Sequence, residues 1–180
     1  NGIKGFAICG EHGQLIDIIL DDGMSYSRRP WALNGEAIVL EFVVSNNIKP
    51  LSIIYMDRWF TSVKLARYLA DEFRIKSSGP ISKTRTSFPT ASKKEKEEGK
   101  QMLSVEMFKR DRRGDFRTLV CDVRRLNVGG GQITAQGWRD TGVVYWISAG
   151  FGLAAAQVVR NVHRTGEKVA VKDRYKYVPT

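Results

Sequence analysis

A chain of 180 residues and 20.3 kDa, 42% hydrophobic and 27% charged, has apolar content for one good core or two small ones, which excludes a disordered polymer. No apolar run approaches the roughly 18 residues that cross a bilayer, so a soluble chain without a membrane partner is expected. With 29 Lys and Arg against 19 Asp and Glu, the net charge is +10 and the pI near 9.8, which favours a polyanion, nucleic acid first, over a small neutral substrate.

Residues 5–10 and 13–23 read as two strands joined by a Glu11-His12-Gly13 turn, because apolar and β-branched residues are bracketed by turn formers. Cys9 falls in the first strand and is expected to be an ordinary buried thiol in a reducing compartment. It forms no CxxC pair with Cys121, and with only two histidines a zinc site is not expected. Asp21-Asp22-Gly23 opens a polar loop through Arg28, Arg29 and Pro30. Asn34 is the expected cap of a largely buried helix whose apolar positions run from Ala37 to Val44, ended by Asn46-Asn47.

Pro50 resets the chain, and residues 51–56 form a short apolar strand ending at Asp57. Thr61 or Ser62 can cap the next helix, where Val63, Ala66, Leu69, Ala70 and Phe73 recur at helical spacing. Residues 75–81 add a strand broken by Gly79-Pro80. From Lys83 the composition turns polar, with a mixed-charge run over residues 93–100 that reads as an exposed linker. Residues 103–108, 116–123, 132–138 and 143–148 look like the strands of a small antiparallel unit, separated by turns at 112–115, 129–131 and 140–142. The first residue is not Met, and both ends of the sequence lack a terminating pattern, so a window onto a longer protein is expected.

Ligand groups of an open α/β sheet gather beyond the carboxyl ends of its strands. Asp57 sits there, where its carboxylate can serve a hard divalent cation or simply face water. His12 and His163 have no nucleophile motif beside them, and residues 129–131 lack the Lys and helix of a phosphate loop. Asp21 and Asp22 read as a solvated turn. Basic residues interleaved with aromatics mark the second half, among them Lys83, Arg85, Arg112, Arg113, Phe108, Phe116 and Trp138, a composition suited to phosphate contacts. Arg112 and Arg113, on a turn, project furthest.

Tyr55-Met-Asp-Arg-Trp-Phe-Thr-Ser resembles the motif of piggyBac-type transposases around their second catalytic aspartate, Tyr-Met-Asp-Asn-Phe/Trp-Phe/Tyr-Thr-Ser. Ile3-Lys-Gly-Phe upstream, Gly79-Pro-Ile-Ser-Lys-Thr-Arg-Thr-Ser-Phe-Pro downstream and Trp138-Arg-Asp-Thr-Gly-Val-Val resemble further landmarks of that family, in its order. The resemblance implies an α/β fold: a partial ribonuclease H-like core over 1–82, a basic linker and mostly β insertion domain over 83–160, and a segment leading back towards the core over 161–180. It also implies three aspartates holding two Mg²⁺ (or Mn²⁺) ions, of which only Asp57 is matched here. The first belongs before residue 1, the third belongs in a Gly-Gly-Val-Asp-like motif absent from this sequence, and the surroundings of Asp173 do not fit. Arg58 stands where the family has Asn, and Ser82 where it has Arg.

The implied function is that of a fragment of a DDE/D-type DNA transposase, catalysing metal-dependent strand cleavage and transfer in its complete form. In that role Asp57 ligates metal, Thr61 and Ser62 orient it or present backbone N–H groups, and Lys83, Arg85, Arg112 and Arg113 contact the DNA backbone. Double-stranded DNA (transposon ends and target) is the implied partner, a homodimer the implied assembly and the nucleus the implied location. The alternatives are a transposase-derived DNA-binding protein without catalysis, for which Arg58 is the motivating residue, and an unrelated basic RNA-binding module.

Overall fold

The computed structural model describes residues 4–21, 29–85, 88, 103, 105–122, 128, 132–151, 155–157, 160–161, 168–169 and 175–177. The mixed-charge run at 93–100, Arg28, Arg124, Arg125, the 129–131 turn, His163 and Asp173 lie outside the described residues. The fold is mixed α/β, mostly sheet with two α-helices among the described residues. No described helix is long and apolar enough to cross a membrane.

Strands β1 (Gly5–Cys9) and β2 (Leu15–Leu20) form an antiparallel hairpin. Gly13, at φ +78°, supplies the left-handed residue its turn requires. Alternation sends Phe6 and Ile8 inward and leaves Ala7 and Cys9 outside. Cys9 is therefore exposed, not buried as expected: it sits on the outward face of a two-stranded ribbon, which a strand-like sequence alone does not reveal.

Helix α1 (Asn34–Ser45) packs Ile38 and Phe42 onto Phe6 of the hairpin, and Val39, Leu40 and Val43 onto β3 (Ile53–Tyr55) and α2 (Val63–Glu72). Its start departs from expectation. Leu33 holds the cap position, Asn34 is the first helical residue, and the Glu36 carboxylate accepts the Leu33 N–H at 2.7 Å. Glu36 does this while almost fully buried, satisfying one of the donors that a helix start orphans. Val44 is 61% exposed, so the helix is buried on most but not all of its circumference. At the other end Asn46 Nδ2 donates to the Phe42 carbonyl at 3.1 Å and to Asp17 Oδ2 at 2.9 Å, tying α1 to β2.

In α2 the expected apolar face is present: Leu65, Ala66, Leu69 and Ala70 are fully buried. Full burial of each of the two leucines contributes about 1.5–3 kcal/mol. Strand β4 (Lys76–Ile81) runs unbroken through Gly79-Pro80, parallel to β3 on one side and antiparallel to β7 (Val143–Ala149) on the other. The pairing with β3 ends at Ser78, so on that edge Pro80 lies where no donor is required.

Strands β5 (Phe116–Asp122), β6 (Gln132–Arg139) and β7 continue the same sheet in the order β3-β4-β7-β6-β5. One sheet thus spans residues on both sides of position 82. Its helix-facing side buries Ile81, Ile133, Ala135, Tyr145 and Ile147 against Ala66 and Ala70 of α2 and against Phe108. The strand expected at 103–108 is instead a one-turn 3₁₀-helix, Val105–Phe108. Its Phe108 is fully buried where Gly137 leaves room, since a Cβ on Gly137 would stand 2.3 Å from the Phe108 ring. Four further short strands pair as β8 (Ala155–Gln157) with β11 (Tyr175–Tyr177) and β9 (Arg160–Asn161) with β10 (Lys168–Val169).

Gly79 is the tightest point between the sheet and the turn that follows β3. A Cβ there would stand 2.3 Å from the Met56 carbonyl oxygen and 2.6 Å from Thr61 Oγ1. Gly79→Ala is expected to cost about 1–3 kcal/mol by overpacking. Gly142→Ala, where nothing lies within 4 Å, is expected to stay within about 0.5 kcal/mol. Urea unfolding midpoints of the two variants check the contrast.

Candidate functional site

The segment from Asp57 to Ser62 converts a strand into a helix in one closed turn. Met56 N still donates to the Ser78 carbonyl at 3.0 Å, as if the strand continued. The Asp57 carbonyl then accepts three hydrogen bonds, from Phe60 N at 3.0 Å, Thr61 N at 3.1 Å and Thr61 Oγ1 at 2.8 Å. Thr61 is fully buried, and Ser62 Oγ caps α2 by accepting the Leu65 N–H at 3.0 Å. Of the two expected cap residues Ser62 is the cap, and Thr61 fixes the backbone of Asp57, not its carboxylate.

This arrangement puts the Asp57 side chain in solvent at the sheet's end, with Oδ1 accepting the Arg58 N–H at 2.6 Å. As a donor it has the hard oxygen chemistry that Mg²⁺ or Mn²⁺ prefers. Among the described residues, however, no group of three or more His, Cys, Asp or Glu stands together. The residues present supply one ligand and do not make a metal site by themselves.

Trp59, 43% exposed, folds back over the hairpin: its ring stacks on Phe6 with centroids 5.3 Å apart and planes within 1°, and Phe60 meets both edge-on. Lys4 Nζ stands 4.8 Å from the Phe6 centroid and 5.1 Å from that of Trp59, and pairs with Asp21 at 3.4 Å. Asp21, expected in a solvated turn, is thus partly buried and paired with Lys4. The first turn of α1 closes on the same point, because a Cβ on Gly35 would stand 2.9 Å from the Trp59 carbonyl oxygen.

That carbonyl is also where Arg85 arrives, its Nη2 donating at 2.6 Å. The turn after β4 that carries Lys83 and Arg85 is closed by Arg85 N to the Ser82 carbonyl at 3.0 Å and by the Ser82–Thr84 hydroxyl pair at 2.9 Å. Arg85 is therefore joined directly to the Asp57 turn, with Lys83 exposed beside it.

The sheet register brings the other two sequence-predicted residues to the same end. Ile81 near the end of β4 pairs with Tyr145 near the start of β7, Val144 pairs with Trp138 near the end of β6, and Trp138 pairs with Phe116 at the start of β5. Asp57 after β3, Lys83 and Arg85 after β4, and Arg112 and Arg113 before β5 thus line one edge. At about 4.8 Å per strand step, the edge runs about 19 Å from β3 to β5.

The two turn arginines differ in state. Arg113 Nε is engaged by Asp140 Oδ1 at 2.6 Å, whereas Arg112 binds through its backbone N–H to Asp115 Oδ2 at 2.7 Å and leaves its side chain exposed. Arg117 pairs in two-pronged fashion with Asp111 at 2.9 and 3.0 Å. Its pKa is raised, first by those hydrogen bonds, against an opposing desolvation, and further by the charges of Asp111 and Asp115. Of the two adjacent arginines, Arg112 and Arg113, the latter is the one whose guanidinium Asp140 holds. The residues the sequence reading did not assign are Lys4 and Trp59; both lie inside recognisable motifs, but their meeting across β1 and β3 is a tertiary event.

An exposed carboxylate just past a parallel strand, on a sheet edge rich in cations, is a layout suited to phosphodiester chemistry. Sequence comparison defines the class: the family described as Transposase IS4 matches residues 1–121, and the chain belongs to that family. No protein of curated function matches. The chain is similar in fold to piggyBac transposase as seen in a cryo-EM structure of its synaptic complex with hairpin DNA, at 20% identity and a TM-score of 0.54. The similarity covers 93% of this chain and 30% of that one, so these residues span less than a third of the similar transposase.

Thr61→Val keeps the shape but removes the buried hydroxyl that closes the Asp57 turn. It is expected to cost about 1–3 kcal/mol, because the Asp57 carbonyl loses a bond in a site shielded from water. Thr61→Ser is expected to recover most of the hydrogen-bond term. Equilibrium unfolding of the pair measures it.

Proposed function

We propose that this chain is the section of a piggyBac-like DNA transposase that supplies Asp57 as one metal-ligating carboxylate and an edge of cations that tracks the DNA backbone. The observation that carries the reading is the convergence, in a chain of the transposase family, of Asp57 with Lys83, Arg85 and Arg112 on one sheet edge. On this reading the fold is part of a ribonuclease H-like core. Among the described residues the hairpin and β3 each have an edge without a strand partner, and α1 packs over both. A strand inserted between them, carrying the first aspartate, would complete one sheet and set a second carboxylate beside Asp57.

In the complete site, two Mg²⁺ or Mn²⁺ ions would acidify the attacking oxygen and offset charge on the leaving one. The reaction is in-line displacement at phosphorus: a water or DNA 3′-hydroxyl oxygen forms the new P–O bond, the leaving 3′-oxygen departs, and the nucleophile's proton goes to solvent. The chain's own residues position the participants. The Asp57 carbonyl clamp holds the carboxylate at the sheet's end, Arg85 locks the neighbouring turn, and Lys83 and Arg112 offer cations to phosphates. Double-stranded transposon ends and target DNA are the substrates, a homodimer holds two ends together, and the nucleus is the compartment.

Cleavage of element-end DNA by the full-length polypeptide with Mg²⁺ or Mn²⁺ is the test. Asp57→Asn, which keeps the shape and removes the charge, is expected to lower the rate at least about 100-fold while leaving DNA affinity within about threefold. Salt-dependent binding without cleavage in either protein would favour the second reading, a transposase-derived DNA binder. The observation behind that alternative is Arg58, a cation directly beside the carboxylate and hydrogen-bonded to it through its backbone N–H.

The two turn arginines give a separate check on DNA tracking. Arg112→Ala is expected to reduce the slope of log affinity against log salt by about 0.9, the value of one lost phosphate contact. Arg113→Ala is expected to change it by less than half as much, because Asp140 already holds that guanidinium. Binding isotherms across a salt series distinguish them.

A further inference from the structure

In the turn after β3, the bond from Phe60 N to the Asp57 carbonyl makes Arg58 and Trp59 the two corner residues. Trp59 is two residues from Asp57, a chain span of at most about 7 Å, or about two nucleotide steps of a DNA strand. Tryptophan is on average well covered, yet 43% of this one meets solvent. It is nevertheless held firmly. Phe6 lies parallel against one face of the indole at 5.3 Å, Phe60 stands edge-on to both rings, and Arg85 grips the Trp59 carbonyl. With one face taken by Phe6, the exposed area falls to the other face and the rim. Gly35 keeps a side chain from crowding the six-membered ring, since a Cβ there would stand 3.1 Å from Cε3 and 3.2 Å from Cζ3. Lys4 Nζ, 5.1 Å from the ring centroid and shared with Asp21, places a cation beside it.

We propose that Trp59 is a nucleobase platform, on whose outer face an unpaired base of the DNA strand addressed by Asp57 stacks. A flat π surface of fixed orientation suits any base, so the contact adds affinity without reading sequence. A ring already immobilised by Phe6 and Phe60 loses little freedom when a base settles on it. The base must be unpaired, because inside a duplex its faces are occupied by its neighbours in the stack. The cations around the ring, Lys4, Arg58 and Arg85, favour a polyanionic occupant over a second copy of a chain that itself carries +10. The inference rests on the reading of this edge as one that binds DNA, and not on metal binding or cleavage.

The test uses the full-length polypeptide in EDTA, with a single-stranded oligonucleotide carrying several 2-aminopurines and the fully paired duplex of the same sequence. Binding of the single strand is expected to quench 2-aminopurine fluorescence. Trp59→Leu, which keeps an apolar contact with Phe6 and removes the π surface, is expected to abolish most of that quenching. It is also expected to weaken single-strand affinity at least about fivefold while duplex affinity stays within about twofold. Trp59→Phe, which restores an aromatic face, is expected to recover most of both signals. An equal loss on both DNAs in Trp59→Leu, as a merely structural role would give, overturns the inference, and so does quenching that Trp59→Leu leaves unchanged. Either of those results leaves metal-dependent cleavage through Asp57 standing. Absence of binding to both DNAs overturns the inference together with the DNA-binding reading.

Discussion

The Asp57 carbonyl oxygen is the point on which the amino-terminal half depends. By accepting two backbone N–H groups and the Thr61 hydroxyl, it closes the turn of residues 56–62 that separates β3 from α2. Thr61 must lie inside to make that bond, and Gly79 on β4 provides the space. Once the turn is closed, the Asp57 carboxylate has nowhere to go but solvent, and Trp59 is thrown back onto Phe6 of the hairpin. The Trp59 carbonyl then receives Arg85 from the turn after β4 and stands against Gly35 of α1. One backbone constraint thus joins the β1-β2 hairpin, the five-stranded sheet, helices α1 and α2 and the candidate site.

Local periodicity made this half legible. The hairpin's alternation, the dense apolar run of α1, the short strand before Asp57 and the amphipathic face of α2 each depend on residues a few positions apart, and each is present. Failures occurred where a distant partner decides. Pro80 reads as a break, yet the register of β3 ends before it and β7 pairs across it. Residues 105–108 have strand composition, but Phe108 is needed beneath Gly137, and a single 3₁₀ turn delivers it. Cys9 has the neighbours of a core thiol and lies on the outer face, because burial of a strand depends on what covers it.

The candidate site divides in the same way. Asp57 was readable from its position at a strand end, and the Thr61-Ser62 pair from helix-start chemistry, although which of the two caps was settled by geometry. The grouping of the cations was not readable. Lys83 and Arg85 follow β4, whereas Arg112 and Arg113 precede β5, and only the order β3-β4-β7-β6-β5 brings them to one edge. Nor does sequence show that Asp140, 27 positions away, holds Arg113 and not its neighbour Arg112.

The rigidity of that edge rests on the joint between the parallel and antiparallel parts of the sheet. At the centre of that joint Ser78 of β4 and Ser148 of β7 sit opposite each other, both buried, with hydroxyls 2.7 Å apart. The Trp146 indole N–H also donates to Ser78 Oγ at 2.8 Å. A slip of one residue would part the hydroxyls and leave buried polar atoms without partners, at about 1–3 kcal/mol each, so the network fixes the register as well as adding stability. Register in turn fixes how far the turns beyond β4 and before β5 stand from Asp57. The carboxylate after β3 and the cations after β4 and before β5 keep a fixed spacing only if that register does not drift, and the buried serine pair is what keeps it from drifting.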